Sequence, residues 1–280
     1  MVKNWLVCCV ACASLITIAG FAVAQENPQL SAAVPSKAKS FSELQRKAEA
    51  GDEVAQYLLA LRYERGDEVE PDYSQALRWY TIAANHAYPP AQNNLAAMYA
   101  DGRGVARDPG AALRWYTRAA IAGNAVAQNN LGVLYAGGQG VRRDEREAVR
   151  WFREAAQAHF APALANLAMM YSQGRGVVAD AAAATHYYEA AAVAGFADAM
   201  EPLGYRYADG VGVARNVNAA VHWLEKAAQR GSTHAIAKLT TLLQQEADAG
   251  DNAAAQRAAY WRARAQEVGA RSAELQALKR

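Results

Sequence analysis

The chain has 280 residues, 52% of them hydrophobic, a formal net charge of +2 and three cysteines. That length and apolar content support a folded body, while the near-neutral charge removes the electrostatic footing for nucleic acid binding. Cys8, Cys9 and Cys12 all lie near the N-terminus, so the rest of the chain can form no disulfide, thiolate metal site or cysteine nucleophile.

At the N-terminus, Lys3 precedes an apolar run from Trp5 to Ala24, and Ala22-Val23-Ala24 before Gln25 has the small-x-small form of a signal peptidase site. Residues 1–24 are therefore predicted to be a signal peptide, removed between Ala24 and Gln25. The remaining protein is then periplasmic or secreted, from a Gram-negative bacterium, with no stable membrane insertion. Retention of the run as a bilayer-spanning anchor is one alternative. Lipidation at Cys12 is another, though Cys9-Val10-Ala11 is a poor lipobox. Residues 25–40 hold Pro28, Pro35 and little periodicity, and are predicted to form a flexible linker. Ser36-Lys37-Ala38-Lys39 matches the Ser-x-x-Lys of penicillin-recognising enzymes, but no Lys-Thr-Gly or Ser-Asp-Asn partner follows, so the match is read as accidental.

Residues 41–50 are expected to form a lone capping helix. Residues 51–230 then hold five 36-residue copies of one pattern, anchored by Gly51, Gly123, Gly195 and Gly231, with Ala87 and His159 in the same register. In the second copy Ala91, Leu95 and Tyr99 form one stripe of a first helix, which Gly102 and Gly104 end. Asp108-Pro109 opens a second helix bearing Ala112, Trp115, Tyr116, Ala119 and Ala120. Copy three begins its second helix with a capping box, Asp144 answered by Glu147. In copy five Pro202 falls inside the first helix and predicts a kink. Residues 231–280 are read as a degenerate sixth copy, keeping Ala235, Leu239, Trp261 and Gly269, and a C-terminal capping helix.

Three slots recur through the array and are predicted core: Leu59, Leu95, Leu131, Leu167, Leu203 and Leu239; Trp79, Trp115, Trp151, Tyr187 and Trp223; and the small residues Ala60, Ala96, Gly132, Ala168, Gly204 and Thr240. Small side chains let two helix backbones approach closely.

The pattern Ala-x3-Leu-Gly/Ala-x2-Tyr-x2-Gly-x-Gly-Val-x2-Asp-x3-Ala-x2-Trp-Tyr/Phe-x2-Ala-Ala-x2-Gly is complete in residues 127–159 except for His159 at the last glycine. It resembles the Sel1-like repeat, a relative of the tetratricopeptide repeat. The resemblance implies an all-α fold, a right-handed α-solenoid of stacked antiparallel helix pairs, and a scaffold for protein contacts with no single activity.

In tetratricopeptide-like solenoids the first helices line the concave side. By that resemblance Asn94, Asn130 and Asn166 form an asparagine ladder in a partner-binding groove, Met98, Leu134 and Met170 form its apolar floor, and Arg62 and Arg206 lie toward its ends. The competing reading packs the methionines between helices and leaves the asparagines solvated. A second surface lies on the loops: Glu64, Asp67, Glu68, Glu70 and Asp72 in copy one, then a basic edge of Arg103, Arg107, Arg142, Arg143, Arg175 and Arg215, either steering an anionic partner or forming an ordinary rim.

No catalytic, cofactor-binding or metal-ligating set is expected. His86, His159, His186, His222 and His234 fall in no metal-ligand spacing and are read as solvated residues. The favoured function is a non-enzymatic exported adaptor or regulator that binds a protein or peptide, serving envelope signalling or exopolysaccharide assembly, as the resemblance implies. The alternative is a cell-wall or β-lactam hydrolase of the cysteine-rich Sel1-like type, weakened because the stapling cysteines are missing. Oligomeric state stays open.

Overall fold

A computed structural model describes residues 40–277, with side chains to residue 267; the predicted signal peptide and nearly all of the linker lie outside the described residues. Those residues form thirteen α-helices and no strand. In chain order they are α1 (Phe41–Glu49), α2 (Glu53–Arg65), α3 (Tyr73–Asn85), α4 (Pro89–Asp101), α5 (Pro109–Ile121), α6 (Ala125–Gly137) and α7 (Glu145–Gln157). Then come α8 (Ala161–Gln173), α9 (Ala181–Val193), α10 (Ala197–Asp209), α11 (Val217–Gln229), α12 (Thr233–Asp248) and α13 (Asn252–Ala277). The chain divides into two compact units, Met1–Trp151 and Phe152–Arg280, the division falling within α7.

Within each unit consecutive helices pack on one another, α1 to α6 in the first and α8 to α13 in the second, the arrangement of an α-solenoid. First helices are thirteen residues long in all five copies, and each ends on a left-handed glycine: Gly66, Gly102, Gly138, Gly174 or Gly210. The loop then closes through one repeated bond, in which the N-cap amide of the second helix donates to the carbonyl of Tyr63, Tyr99, Tyr135, Tyr171 or Tyr207 at 2.8–3.0 Å. Asp72, Asp108 and Asp180 accept from first-turn amides of α3, α5 and α9 as N-caps should. Asp144 accepts from Arg146 and Glu147, but the return half of the capping box does not form. Its own amide is already given to Tyr135, and the Glu147 carboxylate pairs with Arg150.

The second loop glycine is required for a different reason. A Cβ on Gly104 would stand 2.5 Å from the Tyr73 carbonyl oxygen, and one on Gly140 would stand 2.8 Å from that of Pro109. A Cβ on Gly212 would overlap the Ala181 carbonyl. These three loops therefore sit on the first residue of the preceding repeat's second helix. Copy one has Glu68 in this slot, at φ 65°, and its carboxylate pairs with Arg62 and accepts from the Phe41 amide at 3.1 Å, so the loop clasps the cap α1 by a side chain. The Arg62 guanidinium and the Phe41 amide hold the Glu68 carboxyl below its ordinary pKa.

The predicted leucine slot is fully interior in all six copies. Gly204 belongs to the small slot, where a Cβ would meet Leu224 Cγ at 2.6 Å. The tryptophan slot is shallower than its neighbour, because Tyr80, Tyr116 and Phe152 are fully enclosed whereas Trp115 and Tyr187 are only half-buried. Cations shield several of the rings: Arg118 lies 4.6 Å from the Trp115 centre, Arg150 4.1 Å from Trp151, and Lys226 4.5 Å from Trp223. Helix α10 is continuous through Pro202.

Candidate functional site

The first helices place the predicted groove residues deeper than their spacing suggests. Met98 and Met170 are 0% exposed and Leu134 3%, so they pack within the stack and form no accessible floor. Taking Leu95 as the inward direction, Met98 is only about 60° away around the helix at 100° per residue, and neighbouring elements cover that flank. The outward position is one residue earlier. Leu61, Ala97 and Val133 in the first unit, and Met169 and Tyr205 in the second, are the half-exposed members of that row. On α2, α4 and α6 it is extended by Val54, Pro90 and Val126.

The asparagines are neither a free ladder nor solvated. Asn130 Nδ2 donates to Asn93 Oδ1 at 3.1 Å, Asn93 Nδ2 to Asn94 Oδ1 at 3.0 Å, and Asn94 Nδ2 to Tyr80 Oη at 3.0 Å. Tyr80 Oη in turn donates to Glu64 Oε2 at 2.6 Å, and Glu64 is paired with Arg103. One polar chain thus crosses three repeats of the first unit, from Arg103 in a loop to Asn130 on α6. Burial, followed by the Glu64 carboxylate, pushes the Tyr80 pKa well up, and burial pushes that of Tyr57 beside it to about 12. Asn166, in the second unit, is half-buried and engaged.

Arg62 and Arg206 do not stand free at groove ends. Arg62 holds Glu68. Arg206 is 7% exposed and donates from Nη1 to the Ala181 carbonyl and Thr185 Oγ1, both at 3.1 Å, and from Nη2 to Ser172 Oγ at 2.7 Å.

The loop edge is also largely committed within the chain. Arg103 pairs with Glu64 and Asp101, and Arg143 with Glu145. Arg107 and Arg215 cap helix ends through Nε, donating to the Ala100 and Ala208 carbonyls at 3.0 and 3.1 Å. Arg175 is half-buried and engaged, and Arg142 is exposed. On the acidic side Glu64, Glu68 and Asp72 are used in the same way, leaving Asp67 and Glu70 exposed.

One buried set escapes the sequence pattern. Gln56, Gln92 and Gln128 recur at the repeat spacing, and each donates Nε2 at 3.1 Å to a carbonyl at the end of the preceding second helix, on Ala48, Ala84 and Ala120. Their spacing is visible in the sequence, but nothing in it marks them as interior.

All five histidines are exposed. Among the described residues no group of three or more His, Cys, Asp or Glu side chains is placed to hold a metal ion, and no helix is long and apolar enough to cross a membrane.

Five consecutive segments, residues 54–88, 89–124, 125–160, 161–196 and 197–232, match the family described as Sel1 repeat. No curated protein matches the sequence. Among solved structures the chain is similar to a protective antigen of uropathogenic Escherichia coli strains displaying an SLR fold, with 33% identity and a TM-score of 0.75 over 81% of this chain. The match spans about half, 48%, of that protein. A Sel1 repeat protein from Oxalobacter formigenes is 31% identical with a TM-score of 0.69, covering 78% of this chain and 89% of that one.

Proposed function

We infer, since the chain belongs to the Sel1 repeat family and such repeats are generally non-catalytic protein-interaction scaffolds, that it binds a segment of a partner protein along the half-buried outward row of its first helices. The observation that supports this most is the row in the first unit. Leu61, Ala97 and Val133 recur once per repeat, half-exposed, beside Val54, Pro90 and Val126. Such a surface offers apolar contact at a fixed spacing, and Met169 adds an adaptable side chain in the second unit. Asn94 and Asn130 belong to the polar chain beneath the row and fix its geometry. The protein has no reaction of its own and acts after export, as an adaptor of envelope assembly or signalling; the support for export is the pattern from Lys3 to Ala24.

A photo-crosslinking residue at Ala97 or Val133 should trap a partner in cells, whereas the same residue at exposed Arg118 should not. Val133→Glu should abolish the adduct without unfolding the chain. Equal trapping from Arg118, or adducts indifferent to Val133→Glu, would place the contact elsewhere. Intact mass of the exported protein should begin at Gln25; a product retaining Trp5 would contradict export by cleavage.

A further inference from the structure

The repeat supplies its own template for a second site. In the first unit Glu64 closes a group of three: Tyr80 Oη donates to it at 2.6 Å and the Arg103 guanidinium is paired with it. Three repeats further along, the same slots hold Ser172, Tyr188 and Val211. There the cation is restored from another position. Arg206 occupies the slot of Met98, places its guanidinium carbon 5.5 Å from the centre of the Tyr188 ring, and donates to Ser172 Oγ at 2.7 Å. The cation and the tyrosine are kept and the acid is not.

Among the described residues, no carboxylate pairs with Arg206. Asp180, next to the Ala181 carbonyl that Arg206 contacts, is occupied in capping α9 and accepts from the Ala183 amide at 2.9 Å. A guanidinium held by carbonyls, hydroxyls and one aromatic ring, with no acid among them, bears a desolvation penalty that an acid would offset. Burial accordingly lowers its pKa from the usual guanidinium range. The position filled by Glu64 in the first unit is here a serine open to solvent, and Val211 beside it is exposed too.

We propose that Ser172, Tyr188 and Arg206 form a carboxylate-binding site, taking from a partner the acid that copy one supplies from within. A carboxylate there meets the guanidinium in a charge-assisted hydrogen bond, with the Ser172 hydroxyl as a second donor. The site shares no residue with the outward first-helix row, so either can fail without the other.

Calorimetric titration of the full chain with two peptides tests this. One carries a single glutamate between blocked termini; the other carries glutamine and a free C-terminal carboxylate. Binding of the first alone assigns an acidic side chain, of the second alone a chain terminus, and of both the carboxylate irrespective of source. Arg206→Met, which copies Met98, should weaken binding about ten- to hundredfold. Ser172→Glu, which copies Glu64, should raise Tm and abolish binding by filling the site internally. No binding by either peptide, binding unchanged in Arg206→Met, or binding unchanged in Ser172→Glu would each overturn the assignment. If Arg206→Met loses its helical circular dichroism, Ser172→Glu decides alone.

Discussion

The two units share one backbone frame and fill a recurrent interior slot with opposite chemistry. In the first unit the slot is Gln56, Gln92 and Gln128, each bound to a helix-end carbonyl; in the second it is Leu164, Met200 and Ile236, equally buried. The tyrosine slot differs as well. Tyr80 feeds a chain of side-chain hydrogen bonds, Tyr116 keeps its hydroxyl buried without a partner, and the second unit ends the series with Leu224. The frame is therefore set by the leucine slot, the caps and the loop glycines. Between those fixed points the interior tolerates polar or apolar filling, provided a buried polar group finds its partner.

That contrast can be broken most forcefully at the shared slot. Leu95→Ala in the first unit and Leu203→Ala in the second should each lose about 2 to 5 kcal/mol in chemical denaturation. A large difference between them would show that the units do not share a frame. The tyrosines sharpen it next. Tyr80→Phe removes a hydrogen bond to a carboxylate and should lose about 1.5 to 3 kcal/mol, while Tyr116→Phe, which copies Phe152 and deletes an orphaned hydroxyl, should be neutral or stabilising. Equal losses would mean that the Tyr116 hydroxyl has a partner after all.

Smaller effects are expected where the linking turns are left-handed. Gly123 has φ 83° and open space where a Cβ would stand, so Gly123→Ala should lose about 1 to 2 kcal/mol from conformation alone. Ala87 and His159 already occupy that conformation, at φ 62° and 53°, so Ala87→Gly in the first unit and His159→Gly in the second should gain about 1 kcal/mol. Melting curves of all three variants decide it. The smallest effect should come from exchanging the variable slot: Gln92→Met and Met200→Gln should each change stability by less than about 1.5 kcal/mol. A much larger loss in either would show that the filling is specified locally and is not interchangeable.

The helices, their caps and the leucine slot are legible in the sequence because those features are local and repeat in register. Side-chain depth is less legible. Met98 lies near the edge of the predicted core stripe, and only the stacking of neighbours on that flank turns an edge into an interior. Asn94 and Asn130 look alike on a helical wheel, yet one donates to Tyr80 and the other reaches back to Asn93, a choice made by tertiary contacts. Arg206 reads as a surface charge because nothing in the spacing shows that Thr185 and the loop at Val211 close around it.

The loop slot that touches the preceding repeat gives the chain a direction. Glu68 clasps Phe41, Gly104 lies on Tyr73, Gly140 on Pro109 and Gly212 on Ala181, so in each case the loop meets a residue synthesised before it. None of these four seams waits for a later segment to arrive. A chain that emerges N-terminus first, from a ribosome or through a translocation channel, can close each seam as soon as its loop is free, leaving at most one unpartnered repeat at the growing end.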